Sequence, residues 1–284
     1  MSKIIKIENG TLTCEISTLG AELKSVKKCG KELIWQGDEK YWTGSAPILF
    51  PICGGVMDDK YTYCGKEYTL YKHGFARGSE FEVAELSAEK AVFMLKSSEE
   101  TRKQYPFDFE FKVTFSLCGS KLVVDYETKN LTDGEMLFSV GAHEAYACPE
   151  GIEEYSVVFE KEEDFRVNTL FGNLLGLDTK PVIPRGRELQ LKTEYFAIDA
   201  LVFLNLNSRS VELVNRKTGS KIKLDYEGHD YFLLWQKPGA GYICLEPWCG
   251  TPDFINSNQR LEDKPGMIRL SKGQSDTRSH TIEF

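Results

Sequence analysis

Phe109-Glu110-Phe111-Lys112-Val113-Thr114-Phe115-Ser116-Leu117 sets apolar side chains at every odd position and polar ones at every even position. Strict period-two alternation over this length marks a strand with one face in a core and the other towards water, because a helix would scatter the same residues around its circumference. The run Lys121-Leu122-Val123-Val124-Asp125-Tyr126-Glu127-Thr128-Lys129 follows after Gly119-Ser120, so the two are predicted to pair as a hairpin.

The same grammar extends outward. Asn9-Gly10, Cys29-Gly30, Cys64-Gly65 and Thr218-Gly219 each sit between β-prone runs and read as hairpin turns. No long stretch carries a capped apolar stripe of helical period, and only short helical turns are expected, around Asn168 to Asp178 and from Thr251 to Leu261. Without a Pro/Ser-rich linker, low-complexity tract or fixed-period repeat, residues 1–284 read as one all-β domain whose strands must pack as a large antiparallel β-sandwich or a curved multi-sheet relative of one.

Composition narrows the partners. At 41% hydrophobic and 12% aromatic residues the chain has material for a sizeable core and is no disordered segment. Its 35 Lys+Arg against 43 Asp+Glu give a net charge of -8, which repels nucleic-acid backbones and anionic lipid, and no basic patch stands apart. No window approaches the roughly 20 apolar residues that span a bilayer, and the start MSKIIKIENGTLTCEIS lacks the apolar stretch of a signal peptide. A cytoplasmic protein is expected, with eight reduced cysteines, since these are scattered without a C-x-x-C pair. Asn130-Leu131-Thr132 fits the glycosylation pattern but has no role in that compartment.

Several familiar chemistries fail on the residues. His143-Glu144-Ala145-Tyr146-Ala147 begins like the zinc-protease helix but has Ala147 where the second histidine belongs. There is no phosphate loop, Gly239-Ala240-Gly241 meets Cys244 where a dinucleotide fingerprint needs glycine, and no Gly-x-Ser-x-Gly occurs. Histidines and carboxylates remain. His229 and His280 read as structural or solvent-facing. Lys72-His73-Gly74-Phe75-Ala76-Arg77-Gly78 gathers an imidazole and a guanidinium in one irregular segment, either a ligand loop or a plain surface loop. His143 ends the run Met136 to His143, on the same face as Ser139 and Gly141, where small neighbours leave room for a cavity or for a hydrogen-bonded core histidine. Glu246 follows the apolar run Tyr242-Ile243-Cys244-Leu245 and precedes Pro247, which is expected to end regular pairing. Partial burial there would make it a general base with a raised pKa, and an edge position would make it a solubilising charge. Trp248 beside it is the aromatic to place near a bound ligand.

Taken together, five segments resemble the aldose 1-epimerase-like proteins of the galactose mutarotase superfamily, in particular the branch found in bacterial sugar operons. In order they are Pro-Ile-Leu-Phe-Pro-Ile at 47–52, His-Gly-Phe-Ala-Arg at 73–77, Gly-Ala-His at 141–143, Asp-Ala-Leu-Val-Phe at 199–203 and Leu-Glu-Pro-Trp-Cys-Gly-Thr-Pro-Asp at 245–253. The resemblance spans nearly the whole chain. It implies the galactose mutarotase-like supersandwich, a sugar groove on one sheet, Glu246 as general base, His143 as general acid, and His73 and Asp199 as sugar ligands. It implies isomerisation of a hexose such as galactose or glucose between its α and β anomers, with no cofactor or metal, no nucleic-acid or membrane partner, and room for a homodimer. A non-catalytic sugar-binding or sensory protein and a hexose-phosphate mutarotase are the other readings.

Two departures from the family pattern are expected to matter. The family commonly has arginine after Phe-Pro-Ile-x-Gly, where this chain has Gly55, so a substrate cation is expected to be missing unless Arg77 supplies it. Glu144 stands where the family usually has proline and adds a negative charge beside His143.

Overall fold

The computed structural model describes residues 2–284, with 51% of the chain in strands and 8% in helices. The 109–117 alternation is realised without a slip: Phe109, Phe111, Val113, Phe115 and Leu117 are all buried. This strand, Phe109–Cys118, pairs antiparallel with Lys121–Asn130 across Gly119-Ser120, with Leu117 opposite Leu122 and Phe115 opposite Val124. The other anticipated turns close hairpins too. At Cys29-Gly30 and Cys64-Gly65 both residues take positive φ, the backbone twist that lets a two-residue loop follow the twist of its strands.

These hairpins build a nine-stranded antiparallel sheet running, in spatial order, Gly186–Gln190, Tyr155–Glu163, Ser210–Asn215, Lys221–Asp225, Ser275–Glu283, Lys121–Asn130, Phe109–Cys118, Lys90–Lys96, Glu82–Leu86. Over its apolar face lies a four-stranded sheet ordered Glu144–Ala147, Tyr242–Trp248, Tyr231–Trp235, Leu201–Phe203. Ring contacts from Phe159 to Phe203 and Phe232, and the buried His280–Glu144 pair, join the layers, so the architecture is a large antiparallel sandwich. A further four-stranded sheet, Ile4–Glu8 through Lys31–Glu32, extends the same core.

Two local expectations are overturned. Residues 168–178 are not helical: Arg166–Phe171 and Leu174–Pro181 form a hairpin around Gly172-Asn173, the turn dipeptide whose signal outweighs the weak helical spacing. From Thr251 to Gln259 the backbone is irregular apart from one isolated bridge, and a 3-10 turn begins only at Leu261. Here side chains replace a ladder. The buried Asp253 carboxylate accepts from the Met57 amide, the Ser257 hydroxyl and the Lys264 ammonium, the last at 2.8 Å.

Candidate active site

Glu246 is neither half-buried nor at an edge. Tyr242–Trp248 is an interior strand, paired with Glu144–Ala147 on one side and Tyr231–Trp235 on the other, and Pro247 stays in register opposite Phe232. Alternation turns Ile243 and Leu245 into the main core, while Tyr242, Cys244, Glu246 and Trp248 share the outer face beneath a second shell of aromatic side chains. That double burial explains the unbroken apolar reading of the strand, and it leaves Glu246 1% exposed.

Above this face opens a pocket of about 270 Å³, lined by Glu246, His143, His73, Asp199, Arg77 and Trp248 together with Lys72, Trp42, Trp235 and the Gly172-Asn173 turn. All six residues singled out from the sequence therefore meet in one concavity. The segments that carry them are knit by backbone bonds: Leu49 and Gly141 exchange both of theirs, Ser139 N–H reaches Pro51, Phe75 and Ala76 N–H reach Phe50, and Ala142 N–H reaches Pro247. Close packing enforces this seam. A Cβ on Gly141 would stand 2.7 Å from Trp248, so the space beside Gly141 belongs to Trp248 rather than to the His143 ring. Trp248 is fixed there by donating from Nε1 to the Ala142 carbonyl at 3.1 Å.

His143 Nε2 lies 3.5 Å from Glu246 Oε2, and Trp42, Trp235 and His73 surround its ring at centroid distances of 5.2, 5.6 and 5.9 Å. Burial raises the Glu246 carboxyl well above the usual carboxylate range, and the negative charges of Asp199 and Glu144 push the same way against the opposing pull of Lys72. Burial likewise lowers His143 to about 3, helped by the positive charges of Lys72 and Arg77. His73 is buried and held well below the ordinary histidine value, first by burial and then by His143. Its Nδ1 accepts from the Gly54 N–H at 3.1 Å, so the neutral ring carries its proton on Nε2 and offers a donor. Asp199 follows the short 3-10 segment Thr193–Phe196; its carboxylate caps the Ala200 N–H at 2.9 Å and meets Lys72 Nζ at 3.9 Å. Arg77 anchors Nη2 on the Lys72 carbonyl at 2.9 Å, and partial burial lowers its pKa.

Lys72, Trp42 and Trp235 are the residues that sequence reasoning passed over. Lys72 stood at the head of the very loop singled out for His73 and Arg77, and its charge beside His73 was the available signal. The two tryptophans carried none, since core and site aromatics read alike. His143, Cys244 and Glu246 also bring ligand-type atoms within 4.8 Å of one another, a donor set of the kind that holds soft divalent ions. Glu144 does not face the pocket: it is buried in the sandwich with Oε1 3.0 Å from His280 Nε2, and it reaches the site only through its charge. His280 and His229 are structural, as anticipated, but buried rather than solvent-facing.

A family model described as aldose 1-epimerase matches residues 3–283. The chain belongs to the aldose 1-epimerase family. The chain is 34% identical to the plasmid protein LacX of Lactococcus lactis subsp. lactis over 98% of both chains. A galactose mutarotase related enzyme from Lactobacillus acidophilus superposes with a TM-score of 0.92 at 33% identity, covering 99% of this chain and 97% of that one. A galactose mutarotase-like protein from Lactobacillus casei gives the same TM-score at 27% identity, over 99% of both chains. An aldose epimerase must move protons at two oxygens of one sugar, and the pocket presents a carboxyl and an imidazole 3.5 Å apart at its floor with hydrogen-bonding groups around them.

Proposed function

We propose that the protein is an isomerase that interconverts the α and β anomers of a free hexose such as galactose or glucose, with Glu246 as base and His143 as acid. The observation that carries this reading is the contact of these two side chains at the floor of the pocket. Ring opening takes the proton from the O1 hydroxyl and gives one to the ring oxygen; the C1–O bond to the ring then breaks to leave an aldehyde. Rotation about C1–C2 and reclosure, with the roles exchanged, yield the other anomer. O1 and the ring oxygen are bonded to the same carbon, so the groups that serve them stand side by side and not on opposite faces of the sugar. One proton shared by two titratable groups is the inventory the reaction needs: one member gives while the other receives, and the pair ends each passage with the count it began with. With the proton on His143 and Glu246 ionised, the carboxylate is ready as base and the imidazolium as acid. Sugar hydroxyls donating to the carboxylate favour that state.

His73 offers its Nε2–H to a sugar oxygen, Asp199 accepts from hydroxyls, Arg77 donates at the mouth and Trp248 flanks the ring. Polarimetry on freshly dissolved α-galactose and α-glucose tests the proposal. Wild type is expected to hasten the approach to the equilibrium rotation; a rate equal to buffer while sugar still binds would leave the fold as a binding protein.

A further inference from the structure

Position 55 carries no side chain, yet the pocket is not without a cation. The Lys72 loop is pinned to the turn at 53–55 from both sides: His73 N–H donates to the Gly54 carbonyl at 2.7 Å, and Gly54 N–H returns a bond to the His73 ring. His73 there has a φ of 69°, a left-handed conformation uncommon for residues other than glycine. The pinning sets Lys72 against position 55, where a Cβ on Gly55 would lie 4.0 Å from the Lys72 Cβ. Lys72 and Arg77 are the cationic side chains lining the pocket among the described residues, and Arg77 is tethered to a backbone carbonyl. Among the described residues the ion-pair partner of the Lys72 ammonium is Asp199, at 3.9 Å, with both side chains about a third exposed. An ion pair that long and that wet contributes little by itself and is readily parted.

We propose that Lys72 is the substrate-binding cation of this site and that Lys72 and Asp199 together read two neighbouring hydroxyls of the sugar, the ammonium donating and the carboxylate accepting. This rests on the epimerase reading only for the identity of the ligand as a sugar. The two groups are spaced more widely than a tight ion pair, which leaves room for sugar hydroxyls to bond to both. Their charges cancel, so the pair matches neutral hydroxyls rather than an anionic substituent. By the same geometry, an arginine introduced at position 55 enters the space Lys72 serves. Gly55 has no positive φ, and a Cβ there would make only ordinary contacts, with Asn173 nearest at 3.4 Å, so the substitution is sterically open.

The test measures sugar affinity through the fluorescence of the pocket tryptophans Trp42, Trp235 and Trp248, independently of turnover, for a hexose, its single-deoxy analogues and its 6-phosphate. Lys72→Met is expected to weaken the hexose by roughly 10- to 100-fold, the factor carried by a hydrogen bond to a charged group. It should leave unchanged the affinity for one particular deoxy sugar, the analogue lacking the hydroxyl that Lys72 reads. Asp199→Asn should show the same pattern with a neighbouring deoxy sugar. Lys72→Arg retains most of the affinity, and Gly55→Arg restores affinity in the Lys72→Met protein while adding little to wild type. Lys72 as a sugar ligand is overturned if Lys72→Met binds every sugar as wild type does, if it weakens the 6-phosphate alone, or if Gly55→Arg has the same effect with and without Lys72. Wild type that binds sugar through Lys72 but fails to accelerate mutarotation leaves this inference standing and removes the epimerase reading; wild type that binds no sugar overturns both.

Discussion

His143 Nε2 and Glu246 Oε2 stand 3.5 Å apart at the floor of a pocket, somewhat longer than an ordinary hydrogen bond. The carboxyl comes from an interior strand whose two faces are both buried, and the imidazole from the irregular chain between Phe138 and Glu144 that is stitched to that strand by the Ala142–Pro247 bond. Placing titratable groups there costs stability, and several consequences can be measured.

Burial keeps His73, His143 and His229 neutral, the last two with values of about 3, against 6.5 in the unfolded chain. A depressed folded value means stability that is complete above 6.5 and is lost as the pH falls towards the folded values. Each such histidine costs about 1.4 kcal/mol per pH unit in that window, so three together approach about 4 kcal/mol per unit. Urea midpoints should fall steeply between pH 6.5 and 5, and His229→Phe, outside the pocket, should flatten the slope by about a third. A midpoint independent of pH over this range would contradict the burial of these rings.

Glu246 works in the other direction. Its folded value is raised, so the wild type is at full stability while the unfolded carboxyl is still protonated and loses stability as the pH climbs towards the folded value. Glutamine carries no such loss. Glu246→Gln should therefore be more stable than wild type at pH 8, and the gap should narrow at pH 5. A gap that is constant or reversed would show that the carboxyl ionises freely in place.

Gly141 holds the place of Trp248. A methyl group there meets the indole at 2.7 Å and Cys53 Sγ at 3.0 Å, so Gly141→Ala must push Trp248 from its seat against Ala142. Overpacking of this kind costs about 1 to 3 kcal/mol. The expected result is a lowered melting temperature together with a raised KM for sugar; unaltered KM would remove Trp248 from the binding surface.

Lys264 and Asp253 form a buried ion pair at 2.8 Å that fixes the irregular segment beside the pocket. Removing one partner strands a charge, at a cost of about 3 to 5 kcal/mol. Asp253→Ala should lose stability on that scale in chemical denaturation, whereas Asp253→Ala combined with Lys264→Met should recover much of it. Equal losses in the single and double variants would count against a charge penalty.

The fold was legible because the information lay in local pattern. The Phe109–Leu117 alternation and the glycine turns dictate strands and hairpins whatever surrounds them. Residues 168–178 carried a legible turn signal, Gly172-Asn173, that competed with weak helical spacing and closes a local hairpin; residues 251–261 were not legible because they are held by side chains such as Asp253 and by bridges to residues distant in sequence. Of the site, the two histidines with Glu246 and Trp248 stood out through irregular or charged settings within apolar sequence. Asp199 lay in plain apolar surroundings and was legible only through the resemblance. Lys72 was missed because its significance comes from the pinning of one loop to another across the Gly54–His73 bonds, which no spacing along the chain encodes.

The central claim, that Glu246 and His143 exchange protons with the anomeric centre of a sugar, is tested most directly by mutarotation of fresh α-galactose and α-glucose, comparing wild type with Glu246→Gln. Glutamine keeps the shape of the side chain and removes its basicity. The account predicts acceleration by wild type and a loss of about 10²- to 10⁴-fold in Glu246→Gln, the usual share of a general base, with sugar affinity retained. Mutarotation by Glu246→Gln at the wild-type rate would contradict it.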